Sequence, residues 1–222
     1  MFKKNNQSGF TLVELAIVLV IIGLILAAVL KGQEMINNGK VKSVENDLRG
    51  IVSAYYAYQD RYKAIPGDDN AAASHAGTGA VNGNGDGIIS GLFNATATPA
   101  DGTTETNNFW QHTRMSGFLT GSATATVALP PNNTVGGVLG VQSGSTTTPV
   151  FAMTGNVVCS SNVPLKIAIA VDTQLDDGNS DTGSIRSGLA GAIPTATTVS
   201  GAYGPTVAIP ATEGLHTLCM KI

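Results

Sequence analysis

The chain predicts an α+β fold in which one long, protruding N-terminal helix packs on a C-terminal head built on an antiparallel β-sheet. Three observations carry that expectation. Residues 10–30 form an almost unbroken apolar run. Residues 41–62 place apolar and aromatic side chains at helical spacing. Beyond Pro66 the chain turns to short β-like pieces among Gly-, Ser- and Thr-rich loops. One long helix followed by strands, without alternation of the two, fits α+β rather than a parallel sheet.

The N-terminus comes first. Residues 1–9 are polar and basic, with Lys3 and Lys4 near the start and Gly9 at the end. Phe10–Leu30 then holds one charge, Glu14, and one hydroxyl, Thr11, in 21 residues. As a helix this stretch spans about 30 Å, the thickness of the bilayer hydrocarbon. The preceding lysines leave the leader in the cytoplasm and send the rest outward. An ordinary secretory signal would be shorter and end in a small-residue cleavage site. A plain anchor would fit the length but gives no reason for an acid in the apolar run, where a charge costs about 2.5–3.5 kcal/mol.

Lys3-Lys4, then Gly9-Phe10-Thr11-Leu12-Val13-Glu14-Leu15, resembles the prepilin signature of type IV pilins and type II secretion pseudopilins. The resemblance covers about the first 30 residues of the chain. It implies cleavage by a prepilin peptidase between Gly9 and Phe10, and N-methylation of Phe10. It also implies a pilin-like fold and a single pass through a bacterial inner membrane with the head outside the cytoplasm. The destination it implies is a cell-surface pilus or a periplasmic pseudopilus. The implied partners are the peptidase, other pilin subunits in a homo- or hetero-filament, and an inner-membrane assembly machine. Glu14 occupies the family's glutamate position. The resemblance implies that its carboxylate pairs with the new amine of a neighbouring subunit, which would leave neither charge buried alone and would set register. The other reading of Glu14 is capping of the helix dipole alone.

The helix continues past the apolar run. Val41, Val44, Leu48, Ile51, Tyr55, Tyr58 and Tyr62 recur at spacings of three and four, one face of an amphipathic helix. The opposite face carries Lys42, Glu45, Asn46, Arg49 and Gln59, and Ile65-Pro66-Gly67 ends it. Gly23, Gly32 and Gly39 are weak points, and residues 31–39 are where a kink is expected. The tyrosines read as head core. The chain therefore divides into a leader (1–9), a membrane and assembly half-helix (10–30), an amphipathic half-helix (31–65) and a β-rich head (66–222).

Within the head, Asn108–Leu119 predicts a short helix, and Val150–Thr154, Leu165–Val171 and His216–Ile222 predict strands. The two cysteines, Cys159 and Cys219, lie 60 positions apart with no zinc-like spacing. In an exported domain one disulfide is expected, closing a loop worth about 4 kcal/mol; the alternative is two buried thiols.

Nothing in the sequence requires a cofactor, but two loops suggest calcium. Asn82-Gly83-Asn84-Gly85-Asp86-Gly87-Ile88-Ile89 resembles the first eight positions of a calcium loop of EF-hand or dockerin type. It departs at the first position, an Asn, and at the twelfth, Phe93. Asp68, Asp69 or Glu105 would have to complete it, and a Gly/Asn turn without metal is the other reading. The second loop holds Asp172, Asp176, Asp177, Asn179 and Asp181. The resemblance implies a calcium-stabilised loop near the C-terminus, whereas the residues alone read as a solvated hairpin turn.

Residues 64–222 hold four Lys/Arg against ten Asp/Glu, with no basic cluster, so a nucleic-acid partner is not expected. His75, His112 and His216 lack metal-ligand spacing, and no nucleophile elbow or phosphate loop occurs. The expected function is structural, not enzymatic: a subunit of a type IV pilus-like filament. The alternatives are a pseudopilin of a secretion apparatus and an exported binding module on a simple anchor.

Overall fold

The computed structural model describes residues 11–95, 104–123, 129–145, 147, 149–189, 203 and 214–222. Four helices and four strands occur among them: α1 (Leu12–Tyr62), α2 (Ala72–His75), α3 (Glu105–Met115), β1 (Leu139–Gly144), β2 (Gly155–Pro164), α4 (Leu165–Leu175), β3 (Ile185–Leu189) and β4 (Leu215–Lys221). The chain divides into two compact units, residues 1–39 and 40–222. Helix α1 keeps its helical hydrogen bonding through Gly23, Gly32 and Gly39, so residues 31–39 do not melt.

In the first unit every described residue from Thr11 to Leu30 is exposed. This is the segment apolar enough to cross a bilayer, with a mean hydropathy of 3.1 over its best window. In the second unit Val41, Val44, Leu48, Ile51, Tyr55 and Tyr58 of α1 are buried. All but Tyr58 join Phe109 and Trp110 of α3, Val141, Val158 and Leu218 of the sheet, and Ala168 and Val171 of α4 in one core, while Tyr58 stacks on His112 of α3. Lys63, at φ 56°, turns the chain out of α1 just before Pro66.

The sheet order is β1-β2-β4-β3, and all three pairings are antiparallel. The chain's last strand therefore lies inside the sheet. Neighbouring residues of β2 face opposite ways. Val158 enters the helix-covered core, while Val157 and Cys159 join Phe93, Val150, Phe151, Met153 and Cys219 on the other face. Cys159 and Cys219 are cross-strand register partners with Cα atoms 4.0 Å apart, and they form a disulfide.

Three expected elements change. Leu165–Val171, rich in aliphatic residues, is not a strand but most of α4. Pro164 ends β2 without a ladder N–H, and the helical spacing of Leu165, Ala168, Val171 and Asp172 then buries one face while Lys166 and Thr173 stay exposed. Val150–Thr154 is not a strand either. Phe151 and Ala152 have φ of 46° and 61° and make a tight turn closed by a Val150–Met153 bridge. The helix expected at Asn108–Leu119 occupies Glu105–Met115.

The disulfide joins two central strands across a separation of 60 residues. Substituting Cys159→Ala together with Cys219→Ala is expected to lower unfolding free energy by about 4 kcal/mol. Denaturant titration of the full chain in detergent measures this, and unchanged midpoints would reject loop closure as the bond's contribution.

Candidate functional site

The N-terminal site begins where the described residues begin, so Gly9 and Phe10 lie outside them. At the start of α1, Thr11 and Glu14 form a reciprocal cap. The Thr11 N–H and hydroxyl both donate to Glu14 Oε2 at 2.8 Å, and the Glu14 N–H donates to Thr11 Oγ1 at 3.3 Å. This is the capping box of a Thr-x-x-Glu sequence, and that spacing was present to be read at Thr11–Glu14. It places a carboxylate at the positive end of the helix dipole.

In the head, the Gly/Asn-rich loop is organised from outside by two buried carboxylates. Asp68 accepts the N–H groups of Gly85, Asp86 and Gly87 at 2.7, 3.1 and 2.8 Å. Glu105, at the first position of α3, accepts those of Asn84 and Ser90 at 2.9 and 3.0 Å. Charge-assisted bonds of this kind are stronger than neutral ones, and five of them fold residues 84–90 around two acids. The close approach explains a glycine here: a Cβ on Gly83 would lie within 2.6 Å of the Asp68 and Gly67 backbone.

Asp68, Asp86 and Glu105 each bring a carboxylate oxygen within 4.8 Å of the others. Of the other residues considered for this loop, Asn84 stays beside Asp86, donating to its carboxylate at 3.1 Å. Asn82 is held at α2 instead, its oxygen accepting the Ala73 N–H. Asp69 is also drawn elsewhere, accepting the Tyr58 hydroxyl and bonding His75 Nδ1, each at 2.7 Å. Burial alone would raise the Asp69 carboxyl, but those two bonds, the Ala71 N–H and the charge of His75 together outweigh it and hold it below the usual range.

The second acidic group gathers Asp172, Asp176 and Asp177, again within 4.8 Å. Asp172 sits in the last turn of α4 and is fully buried. Its Oδ1 accepts the Gly178 N–H at 3.2 Å, while Oδ2 has no hydrogen-bond partner among the described residues. The Tyr203 hydroxyl approaches without reaching bonding geometry. Burial pushes the Asp172 carboxyl up to about 6, with Asp177 and Asp176 adding to the rise. Asp176 accepts the Ser184 and Ile185 N–H groups, and Asp177 accepts the Asn179 N–H and the Thr182 hydroxyl. Asp181 is not brought into this group; its carboxylate takes the Ser180 hydroxyl.

His112 is the remaining buried titratable group of this region. Its Nδ1 accepts the Gly67 N–H at 2.9 Å, so the proton sits on Nε2, 2.7 Å from the Val81 carbonyl. Protonation would set one N–H against another. Burial lowers this imidazole's affinity for the proton.

Over residues 4–30 the chain matches the family described as the prokaryotic N-terminal methylation motif. No curated protein and no solved structure matches the chain. The methylation motif carries the type IV pilin and pseudopilin signature, and with the apolar helix it supports a membrane-anchored precursor of that kind.

An unfolded histidine takes its proton near pH 6.5, whereas folded His112 resists it. Acid therefore favours the unfolded chain, and this residue's contribution to stability is lost as pH falls through 6.5. His112→Gln can keep both hydrogen bonds without titrating. The fall in thermal midpoint below pH 6.5 is expected to be shallower in that variant than in the wild type; equal slopes would exclude the effect.

Proposed function

We propose that this chain is a structural subunit of a type IV pilus-like filament. It is trimmed after Gly9 by a prepilin peptidase, methylated at Phe10 and assembled through the apolar half of α1. The observation that carries the reading is the conjunction of the methylation motif with a fully exposed apolar helix surface from Leu12 to Leu30. Such a surface needs lipid or other helices to cover it, at about 25 cal/mol per Å² of apolar area. While the helix spans the inner membrane, with the head outside the cytoplasm, lipid covers it. Once it is extracted, equivalent helices of neighbouring subunits do. Glu14 then has a second role beyond the cap, as partner of the neighbouring Phe10 amine. No enzymatic step is needed on this reading, because the chemistry is performed on the chain by its peptidase.

Calcium belongs to the same proposal as a stabiliser of the head. The donor sets are hard oxygens, as calcium requires. Asp172, Asp176 and Asp177 would hold it, because the buried Asp172 Oδ2 makes no hydrogen bond among the described residues. Asp68, Asp86 and Glu105 have the same oxygen chemistry, but backbone N–H groups already neutralise Asp68 and Glu105.

Mass spectrometry of the mature protein is expected to find N-methyl-phenylalanine from Phe10 as the first residue. Glu14→Ala should insert in the membrane normally yet fail to enter filaments. An intact leader, or filaments of normal abundance from the variant, would reject the proposal.

Millimolar calcium is expected to raise the thermal midpoint of the full chain in detergent, and Asp172→Asn to remove most of that rise. Absence of any shift would discard the metal. A shift lost in Asp86→Asn instead would move it to the glycine-rich loop.

A further inference from the structure

The glycine-rich loop carries a reactive sequence. An Asn followed by Gly can modify itself: the glycine nitrogen attacks the Asn side-chain carbon, ammonia leaves, and water opens the resulting succinimide ring to Asp or isoaspartate. Glycine favours the attack because it has no Cβ and its backbone turns freely. Three such pairs occur in the chain, Asn38-Gly39, Asn82-Gly83 and Asn84-Gly85.

The three have different surroundings. Asn38 and Gly39 lie inside α1, where helical hydrogen bonding occupies the backbone N–H groups. The Gly83 N–H donates to the Asp69 carbonyl at 2.8 Å, and Gly83 packs against the Asp68 backbone. Gly85 is held by a charge. Its N–H donates to Asp68 Oδ1 at 2.7 Å and to the Asp68 carbonyl at 3.0 Å. Asn84 and Gly85 are both exposed to water. The Asn84 side chain is tied at both polar atoms: Oδ1 accepts the Asp86 N–H at 2.9 Å, and Nδ2 donates to Asp86 Oδ2 at 3.1 Å.

We propose that Asn84 is a self-modification site of the head, held unreacted by Asp68 while the loop is closed and converted when the loop opens. The attack requires the Gly85 nitrogen to give up its proton and turn its lone pair on the Asn84 side-chain carbon. The Asp68 carboxylate opposes both, fixing the N–H and disfavouring negative charge on that nitrogen. In the open loop a new N–C bond replaces the bond from the Asn84 side-chain carbon to Nδ2, and the Gly85 proton departs with Nδ2 as ammonia. Water then adds across one of the two ring C–N bonds, giving Asp or isoaspartate. Water is the sole co-reactant. The rate in the folded chain follows the open fraction of the loop.

The conversion runs one way. It adds a carboxylate beside Asp86, where Asp68, Asp86 and Glu105 already bring oxygens within 4.8 Å of one another, so like charges oppose re-closure. The far end of the same loop covers the edge strand β1. The Ile89 N–H donates to Ser143 Oγ, the Ser143 N–H to the Ile89 carbonyl, and the Phe93 N–H to the Gln142 side chain. A converted loop therefore loosens the cover of a sheet edge together with the buried Ile89 and Phe93.

Peptide mapping by mass spectrometry follows Asn82 and Asn84 in the full chain in detergent and a metal chelator, with and without concentrated urea. In urea both are expected to convert; in the folded chain both should be slower by about tenfold or more. Asp68→Ala is expected to speed Asn84 in the folded chain by about tenfold or more while Asn82 stays slow. Asp68→Asn, of the same size but without the charge, should give the same selective rise, so the result does not hang on the folding of one variant. Equal rates for Asn84 in folded and urea-treated wild type would overturn the proposal. So would an Asn84 as slow in both variants as in wild type, or a rise of Asn82 and Asn84 together in both, which would assign the protection to the fold as a whole. Asn84→Asp, the product of conversion, should lower the thermal midpoint, and an unchanged midpoint would overturn the one-way step.

Discussion

The apolar face of α1 from Val41 to Tyr58 is the constraint on which the head depends. Val44, Leu48 and Tyr58 are wholly buried, and the sheet, α3 and α4 all contribute to the core that Val44 and Leu48 join. Fully burying one such side chain is worth about 1.5–3 kcal/mol, so the face supplies a large part of the apolar burial of a domain poor in aromatic residues. Loss of helical register between Val41 and Tyr58 would expose that face and leave the sheet without a cover on one side.

Where apolar side chains are scarce, buried acids organise the backbone. Asp68 and Glu105 fix the glycine-rich loop through five N–H donors, and Asp69 ties Tyr58 of α1 to His75 of α2. A buried carboxylate is tolerable only when its lone pairs are satisfied, and in these three residues they are. Asp172 departs from that rule, with one oxygen lacking a hydrogen bond among the described residues. That difference separates the two acidic groups, and it is why a cation is assigned to the second before the first.

The two halves of α1 have opposite relations to solvent. The half near the N-terminus exposes an apolar surface with a capped acid at its start, and the half in the head buries its apolar face. Hydrophobic surface of that extent on an isolated chain marks a partner or a membrane. The filament reading follows from this asymmetry together with the methylation motif.

Much of this protein was legible in its sequence, because local signals determine local structure. The apolar run, the three-and-four spacing from Val41 to Tyr62, the Pro66 stop and the final alternating strand each depend on residues close in the chain. Strands β1, β2 and β3 were not legible. Both faces of β2 are buried, which erases the alternation that marks a half-exposed strand. Buried Gln142 and the close packing of Gly188 against Phe151 give β1 and β3 no strand-like composition. The candidate acids could be named from sequence, but their grouping could not. Asp68 and Glu105 are 37 positions apart and meet at one loop, whereas Asn82, Asp69 and Asp181 are drawn to other partners. Only the tertiary structure decides such contacts, since a carboxylate takes whichever donors the fold brings within about 3 Å of it.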